Sequence, residues 1–356
     1  MNLTINTRIG EKVYTIGYPL MIAEIGVNHE NSIEKALLMI DECAEMNIPA
    51  VKFQTYKANK IAAAHSPSYW DLSMEKTSSQ RELFKKYDSF GFDEYKKLAD
   101  YTYKKGLIFM STPFDIDSVN MLDPLLDIYK ISSSDITNYP LIIEIAKKEK
   151  PIILSCGAST HDEIKKALEF IKKYNKNQVT LLHCILNYPT KDTDAEISQI
   201  ITLKSVFKEN IIGYSDHTLP DKNLTSLKLA HSIGAIAIEK HYTFDKNLPG
   251  NDHYHAFDKN DARSLMADFK KIGTLYGQPK LFNLKNQTQA IKNARRAIYA
   301  KSDIKEYEIL TEENIIMLRP AGDFIESSDF EKIIGKRVNR NIKKDEGIRW
   351  ENIYEK

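Results

Sequence analysis

Residues 235–252 read AIAIEKHYTFDKNLPGND, and the order of residue types in that stretch decides how the chain is to be folded. Ala235-Ile236-Ala237-Ile238 is short, apolar and partly β-branched, which suits a strand buried on both faces. Glu239, Lys240 and His241 follow with no turn residue between, placing an acid, a base and a metal-ligand type at the strand's carboxyl end. A loop containing Pro249 and Gly250 carries Asp252 back over the same place. One segment earlier, Ile211-Ile212-Gly213-Tyr214 runs into Ser215, Asp216 and His217 in the same manner. A lone histidine at a strand end is ordinarily a hydrogen-bonded structural residue. Two of them, ending successive strands and flanked by carboxylates able to orient an imidazole, point to a shared metal ion, with His217 and His241 as its ligands.

Working outward, one apolar strand followed by one amphipathic helix recurs eight times. The strands fall near 20–25, 50–54, 107–111, 128–132, 151–155, 179–184, 211–214 and 235–239. Helices near 33–47, 92–105, 138–149, 160–174 and 258–276 stand out from apolar spacing; those near 118–126, 199–208 and 222–233 are fainter. Eight β-then-α cycles in about 260 residues predict an α/β fold, a (β/α)8 TIM barrel closed by parallel strands. Residues 3–16 alternate apolar and polar around Ile9-Gly10-Glu11-Lys12, a β-hairpin suited to plugging the barrel's bottom. Polar, unpatterned residues 278–293 read as a linker, dividing a barrel domain (1–284) from a small β-rich domain (285–356). Within the latter, residues 303–315 laid over 341–353 match at six of thirteen places, which predicts approximate twofold symmetry. About 70 residues make a marginal core, so that domain is expected to dock against something.

Composition excludes several classes. Fifty basic against 49 acidic residues leave a net charge of +1, which gives no basis for a nucleic-acid or anionic-membrane partner. Three cysteines, Cys43, Cys156 and Cys184, lack CxxC spacing and argue for a reducing compartment rather than a disulfide scaffold. Cys156 and Cys184 lie near strand ends without an obvious base partner and read as small core residues. The opening MNLTINTRIGEKVY lacks the apolar core of a secretion signal, and no apolar run reaches about 18 residues, so a cytoplasmic protein is expected.

Each barrel strand runs into polar residues. In order they are Glu24 and Asn28-His29, Lys52 and Gln54, Thr112, Lys130 with Ser133 and Asp135, Ser155, Asn187-Tyr188, Asp216-His217, and Glu239-Lys240-His241. A barrel builds its site from the carboxyl ends of several strands, where eight loops converge on one axis. Lys52 and Lys130 with Thr112, Ser133, Ser155 and Ser215 suit an anion carrying both carboxylate and phosphate. The alternative is that either lysine pairs with Asp135 or Glu239, or serves as a Schiff-base nucleophile. A divalent ion on the two histidines would polarise an aldehyde without any imine. Glu24 is the candidate general base, or else a salt-bridge partner of Lys52. Tyr188 and Asp252 are placed to meet a sugar's hydroxyls or amide.

Taken together, AEIGVNHE (23–30), VKFQT (51–55), STPF (111–114), YKISSSD (129–135), ILSCG (153–157), LLHC with YPT (181–184, 188–190), GYSDHT (213–218) and EKHYT through LPGND (239–252) resemble the N-acetylneuraminate synthase family. RAIYAKSDIK (296–305) and LRP (318–320) resemble its C-terminal antifreeze-like (SAF) module. The resemblance spans nearly the whole chain. It implies condensation of phosphoenolpyruvate with an N-acylated amino-hexose, such as N-acetylmannosamine or a 2,4-diacetamido-trideoxyhexose, to give a nonulosonic acid. It further implies Glu24 as catalytic acid/base, and Lys52, Thr112, Lys130, Ser133, Ser155 and Ser215 as holders of phosphoenolpyruvate. His217 and His241 would bind a divalent metal, typically Mn2+, with Mg2+ or Co2+ as alternatives. Gln54, Tyr188 and Asp252 would face the acceptor, and a domain-swapped homodimer would bring Arg319 of one copy to the acceptor's N-acyl group in the other. The implied chemistry is attack of the phosphoenolpyruvate methylene on the aldehyde, addition of water at C2, and loss of phosphate by carbon–oxygen cleavage.

Four departures bear on the sugar and the module. Leu186 stands where sialic-acid members carry Asn, with Asn187 one place later; Asp135 replaces a Glu; His253 and His255 enrich the 251–255 segment; and Tyr307 occupies a position usually given to Gly. Alternation on an exposed loop is the expected reading of His253 and His255, with an extension of the metal site as the alternative. Two rivals remain: a Schiff-base aldolase or lyase, which would survive EDTA but be trapped by borohydride, and a non-catalytic sugar-binding protein, which would release no phosphate.

Overall fold

The computed structural model describes residues 2–250, 252–277 and 285–354. Two compact units, Met1–Gly277 and Gln278–Lys356, make up the chain. Asn251 and the part of the expected linker over 278–284 lie outside the described residues.

The first unit opens with the antiparallel hairpin β1 (Leu3–Thr7) and β2 (Gly10–Tyr14). Eight parallel strands follow: β3 (Leu20–Gly26), β4 (Ala50–Thr55), β5 (Ile108–Pro113), β6 (Tyr129–Ile131), β7 (Ile152–Ser155), β8 (Val179–Cys184), β9 (Ile211–Asp216) and β10 (Ala237–His241). Their order, β5-β4-β3-β10-β9-β8-β7-β6, is that of a barrel, with β5 and β6 meeting at the seam. The long outer helices are α1 (Ile33–Glu45), α4 (Phe92–Lys104), α7 (His161–Tyr174) and α10 (Lys259–Tyr276). Local rules set their ends: Thr160 and Glu163 form a reciprocal capping box at the start of α7, and Ile164, Ala167, Leu168 and Ile171 form its buried stripe. The shorter α5 (Ile116–Leu122), α6 (Tyr139–Ala146), α8 (Gln199–Val206) and α9 (Thr225–Ser232) complete the ring. Sequence reading passes over residues 56–91, between β4 and α4, where α2 (Ala58–Ile61) and α3 (Gln80–Lys85) are too short to show a period.

Two apolar layers enclose the strands. One lies between strands and helices, and the other fills the lower barrel, where Leu20, Ile22, Ala50, Ile108, Met110, Ile153 and Leu182 pack with Leu3, Ile5 and Tyr14 of the hairpin. The hairpin is thus the expected plug. Gly213 is required by this crowding, since a Cβ there would fall 2.3 Å from the Ala237 carbonyl oxygen and 2.5 Å from Leu182 Cδ2. Among the described residues no helix is long and apolar enough to cross a membrane.

The second unit carries the expected twofold repeat. Ile304 and Ile342 exchange reciprocal backbone hydrogen bonds of 2.8 and 2.9 Å. Glu308 accepts from the Lys305 amide as Glu346 does from Lys343, both at 2.9 Å. Asn314 and Asn352 likewise accept from the Thr311 and Arg349 amides. Tyr307 and Asp345, equivalent in the repeat, both turn with positive φ, 72° and 63°. Tyr307 therefore adopts the left-handed conformation that a glycine would take more easily. Its core gathers Ile298, Ile304, Leu310, Ile325, Val338, Ile342 and Ile348, flanked by strands β11 (Ala297–Ala300) and β12 (Ile315–Leu318) and by helices α11 (Thr288–Ala294) and α12 (Phe330–Ile333).

Between barrel wall and helices, Lys240 Nζ lies 2.6 Å from Asp216 Oδ2, both side chains fully buried. Burial pushes the Asp216 carboxyl up, but Lys240, the Thr218 amide and the Tyr214 hydroxyl outweigh it and hold it below the usual carboxylate range. A depressed acid stabilises fully above its unfolded pKa of about 4, and the contribution is lost as pH falls through the depressed value. Asp216→Asn, which strands the buried ammonium, is expected to cost about 3–5 kcal/mol in urea unfolding at pH 7. The difference from wild type should shrink on acidification; unfolding curves that coincide at pH 7 would refute the assigned role.

Candidate active site

Strand alternation sends every second residue inward, and along each strand the inward set changes from apolar to polar at the same level. Leu20 and Ile22 lead to Glu24, Ala50 to Lys52 and Gln54, Ile108 and Met110 to Thr112, Ile128 to Lys130, Ile153 to Ser155, Gly213 to Ser215, and Ala237 to Glu239 and His241. The polar set lines a cavity of about 540 Å³. Lys240, one residue out of phase, faces the helices, so it is not the third member of a Glu-Lys-His cluster in the site.

Four charges alternate across the cavity floor. Lys52 Nζ lies 2.5 Å from Glu24 Oε2 and 3.8 Å from Glu239 Oε2, while Lys130 Nζ lies 3.5 Å from Glu239 Oε1. Gln54 donates to Glu24 Oε1 at 2.9 Å, Lys52 to Thr112 at 3.0 Å, and Ser215 to Glu239 at 2.9 Å. Both expected alternatives for the cations therefore hold in part: Lys52 pairs with Glu24, and both lysines pair with Glu239 rather than Asp135. Burial, then the Glu239 charge, lift the Glu24 carboxyl above its ordinary value against the pull of Lys52. Burial raises Glu239 too, but Lys130 and Lys52 overcome it and hold that group ionised. Ser155 Oγ is buried and has no hydrogen-bond partner among the described residues, an unspent donor facing the lysines' end of the cavity.

Beside the floor lies a cluster of metal-ligand types. Ligand atoms of His241, Asp252 and His255 all fall within 4.8 Å of one another. Burial, then the charges of His255 and His217, hold His241 well below the ordinary imidazole value, which leaves it neutral and free to coordinate. Its buried Nδ1 forms no hydrogen bond among the described residues and faces Asp252 Oδ2 at 3.5 Å. Two imidazoles and a carboxylate are a donor set for a divalent transition ion. The His217 and His241 rings lie 5.6 Å apart on the same side, as expected of neighbours, but His217 Nδ1 is engaged with the Ile185 carbonyl at 2.8 Å and faces Cys184 Sγ at 3.8 Å.

Comparison with known proteins assigns the chain. Residues 39–280 match the NeuB family and residues 295–353 the SAF domain. The chain belongs to the NeuB family. It is 35% identical to the N,N'-diacetyllegionaminic acid synthase of Campylobacter jejuni over 93% of this chain and 98% of that one. With the synthase of the same name from Legionella pneumophila it shares 33% over 94% of each chain. Among solved structures, a sialic acid synthetase from Leptospira borgpetersenii superposes with a TM-score of 0.72 at 33% identity, covering 82% of this chain and 96% of that one. The protein is accordingly an enzyme of the synthase kind, within the transferases.

In this NeuB-family barrel, Glu24, Lys52, Gln54, Thr112, Lys130, Ser133, Ser155, Tyr188, Ser215, His217, His241 and Asp252 all line one cavity. Arg319 belongs to the second unit, exposed and directly after β12. Leu186 lines the cavity and Asn187 is exposed outside it, so the shifted asparagine does not replace the polar contact. Two expectations are corrected. His253 and His255 are buried, not alternating on an exposed loop: His253 Nδ1 meets Thr243 Oγ1 at 2.8 Å, and His255 stands 4.8 Å from the His241 ring. Cys184 does have a base partner, His217, and lines the cavity.

Sequence reasoning left out Glu239 as a site residue, although its spacing of two from His241 put both on one strand face. It also preferred an exposed loop to a metal-site role for His255, and it missed the cavity wall contributed by residues 56–91, where no period or motif signals a role. If His255 holds the ion, His255→Ala should weaken Mn2+ binding by about 10–100-fold in calorimetric titration of the folded protein. Unaltered affinity would exclude His255 as a ligand.

Proposed function

We propose that this enzyme condenses phosphoenolpyruvate with an N-acylated amino-hexose, yielding a nonulosonic acid and phosphate. One observation carries the reading: a cavity with two ammonium groups buried at its floor is also lined by His241 and Asp252, which group with His255 into a cluster of metal-ligand type. The relatives named as legionaminic and sialic acid synthases support it.

Lys52 and Lys130 neutralise the anion, with Thr112, Ser133, Ser155 and Ser215 supplying directed donors to its carboxylate and phosphate oxygens. His241, Asp252 and His255, with His217 beside them, would hold a divalent ion, manganese by the family resemblance, whose Lewis acidity polarises the acceptor's aldehyde. Tyr188 and Gln54 orient the acceptor. The methylene carbon of phosphoenolpyruvate bonds to the aldehyde carbon, and positive charge develops at C2. Glu24 takes a proton from the water that adds there. The carbon–oxygen bond to phosphate then breaks, leaving an α-keto acid. Fixed charges on the floor make this transition state cheaper than it would be in water. A homodimer in which Arg319 of a second copy contacts the N-acyl group is part of the proposal, as is a cytoplasmic setting.

One observation favours the imine alternative: burial, opposed by Glu239, leaves Lys130 below its ordinary value and closer to a free amine. Phosphate release from phosphoenolpyruvate and Mn2+ across a panel of amino-sugars separates the readings. Release that EDTA abolishes and borohydride spares is expected; the reverse pattern, with a borohydride adduct on Lys130, would establish the lyase. No release with any sugar, together with sugar binding, would favour the binding protein.

Glu24→Gln should lower kcat by roughly 10²–10⁴-fold. Because the Glu24 carboxyl is raised and must be ionised to act as base, wild-type kcat should climb with pH through a value above the usual carboxylate range. A profile flat down to pH 4.5 would exclude this role. Arg319→Ala should raise the acceptor KM about tenfold or more with little change in the KM for phosphoenolpyruvate, and an unmoved acceptor KM removes Arg319 from the reaction.

A further inference from the structure

The cluster of metal-ligand types draws on a strand for one member and on a loop for two. His241 ends β10, whereas Asp252 and His255 come from the connection between β10 and α10. The foot of that connection is ladder-like: the Phe257 amide donates to the His241 carbonyl at 2.8 Å, and the Thr243 amide to the Phe257 carbonyl at 3.1 Å. Asp252 and His255 are turn residues beyond it. A ligand carried on a loop is placed only as precisely as the side chains around the loop allow.

Two side chains secure these turns. Asn28, buried between β3 and α1, donates through its amide nitrogen to the Tyr242 carbonyl at 2.9 Å and to the Asp252 carbonyl at 3.2 Å. Both hydrogens of one NH2 group are thereby used, and they join the residue after His241 to Asp252 itself. Tyr254, next to His255 in sequence, stands edge-on to the His255 ring at 5.1 Å, and its hydroxyl donates to the Tyr188 carbonyl at 2.9 Å. Tyr188 in turn sets its ring 4.1, 6.1 and 5.5 Å from those of His217, His241 and His255. The donors of Asn28 and Tyr254 are spent on carbonyl groups, so what they act on is the loop.

Resting on the condensing reading above, which calls for a divalent ion, we propose that Asn28 and Tyr254 are positioning residues for that ion's site: Asn28 sets Asp252 against His241, and Tyr254 sets His255 and ties the cluster to Tyr188. Without these bonds the loop would be ordered only as the ion bound, and the entropy of ordering would be subtracted from its affinity. Lys52 and Lys130 stand on β4 and β6, away from both bonds. The two substrates should therefore feel the loss unequally, because the acceptor is met by the ion and by Tyr188 while phosphoenolpyruvate rests on the lysines.

The test uses the full-length enzyme and two variants, Tyr254→Phe, which removes a single oxygen, and Asn28→Ala. Calorimetric titration should show Mn2+ affinity lowered by about 10–100-fold in each, with affinity for phosphoenolpyruvate, measured in EDTA, within about twofold of wild type. The acceptor KM of Tyr254→Phe should rise about tenfold, while its Tm in EDTA stays within about 4 °C of wild type. Mn2+ affinity equal to wild type in Tyr254→Phe overturns the inference and leaves the condensing reading intact. So does a fall in phosphoenolpyruvate affinity as large as the fall for Mn2+, which would mark the two bonds as general support of the cavity. A wild-type enzyme that binds no Mn2+ overturns both readings. Weakened Mn2+ binding in the variants, beside a wild type that releases no phosphate with any sugar, upholds the positioning role and removes the condensing one.

Discussion

Four ionisable side chains, acid and base in turn across the barrel floor, Glu24, Lys52, Glu239 and Lys130, set the conditions for everything above them. Burying any one alone would be costly, and the cost is tolerable because each finds an opposite charge within 4 Å, with Gln54, Ser215 and Thr112 hydrogen-bonded to Glu24, Glu239 and Lys52. With all four ionised the floor is neutral. The arrangement stores positive potential without an unpaired cation, and an arriving anion draws on it by competing with the carboxylates for the two ammonium groups. The raised Glu24 is the carboxylate most readily neutralised in that exchange.

Strand register is what keeps this floor in place. Apolar residues below it are capped by the hairpin, and polar ones open into the cavity above, a division set by the inward parity of every strand. Parallel pairing puts Glu24 level with Lys52 and His241, and Glu239 level with Ser215. A slip of one residue in β10 alone would bring Lys240 inward and send Glu239 and His241 among the helices. Asp216 and Lys240 oppose such a slip, because their pair, supported by Thr218 and Ser226, exists only in the native register. Gly213 acts to the same end by admitting the Ala237 carbonyl where any side chain would collide.

The eight strands were legible because their apolar runs are short and bounded, and the polar residues ending them announced the cavity. Lys52, Lys130, Ser155 and His241 could be read as cavity-lining residues on that ground alone. Glu239 was passed over because adjacent Lys240 and His241 looked like one cluster, whereas a strand sends neighbours to opposite faces. His255 was misread because alternation at 253–255 resembles an exposed strand edge; the loop folds back, and tertiary packing buries both rings. Residues 56–91 were silent, since helices of four and six residues carry no period and their aromatics are spaced by the cavity rather than by secondary structure. Local pattern reports periodic burial, and a wall assembled from irregular loops has none.

A neutral floor next to a His-Asp-His cluster also bears on the order of events. Under the proposed function, phosphoenolpyruvate would bring at least two negative charges, and the paired lysines could compensate them fully only if Glu24 or Glu239 yielded its partner. A divalent ion held by His241, Asp252 and His255 has one carboxylate among its ligands and would carry a net positive charge into the same enclosed space. At the low effective dielectric of a buried cavity, that charge lowers the energy of the anion more than any surface cation could. Under the proposed function, metal binding before phosphoenolpyruvate would be the electrostatically downhill sequence, and the anion would in turn lower the cost of confining the ion.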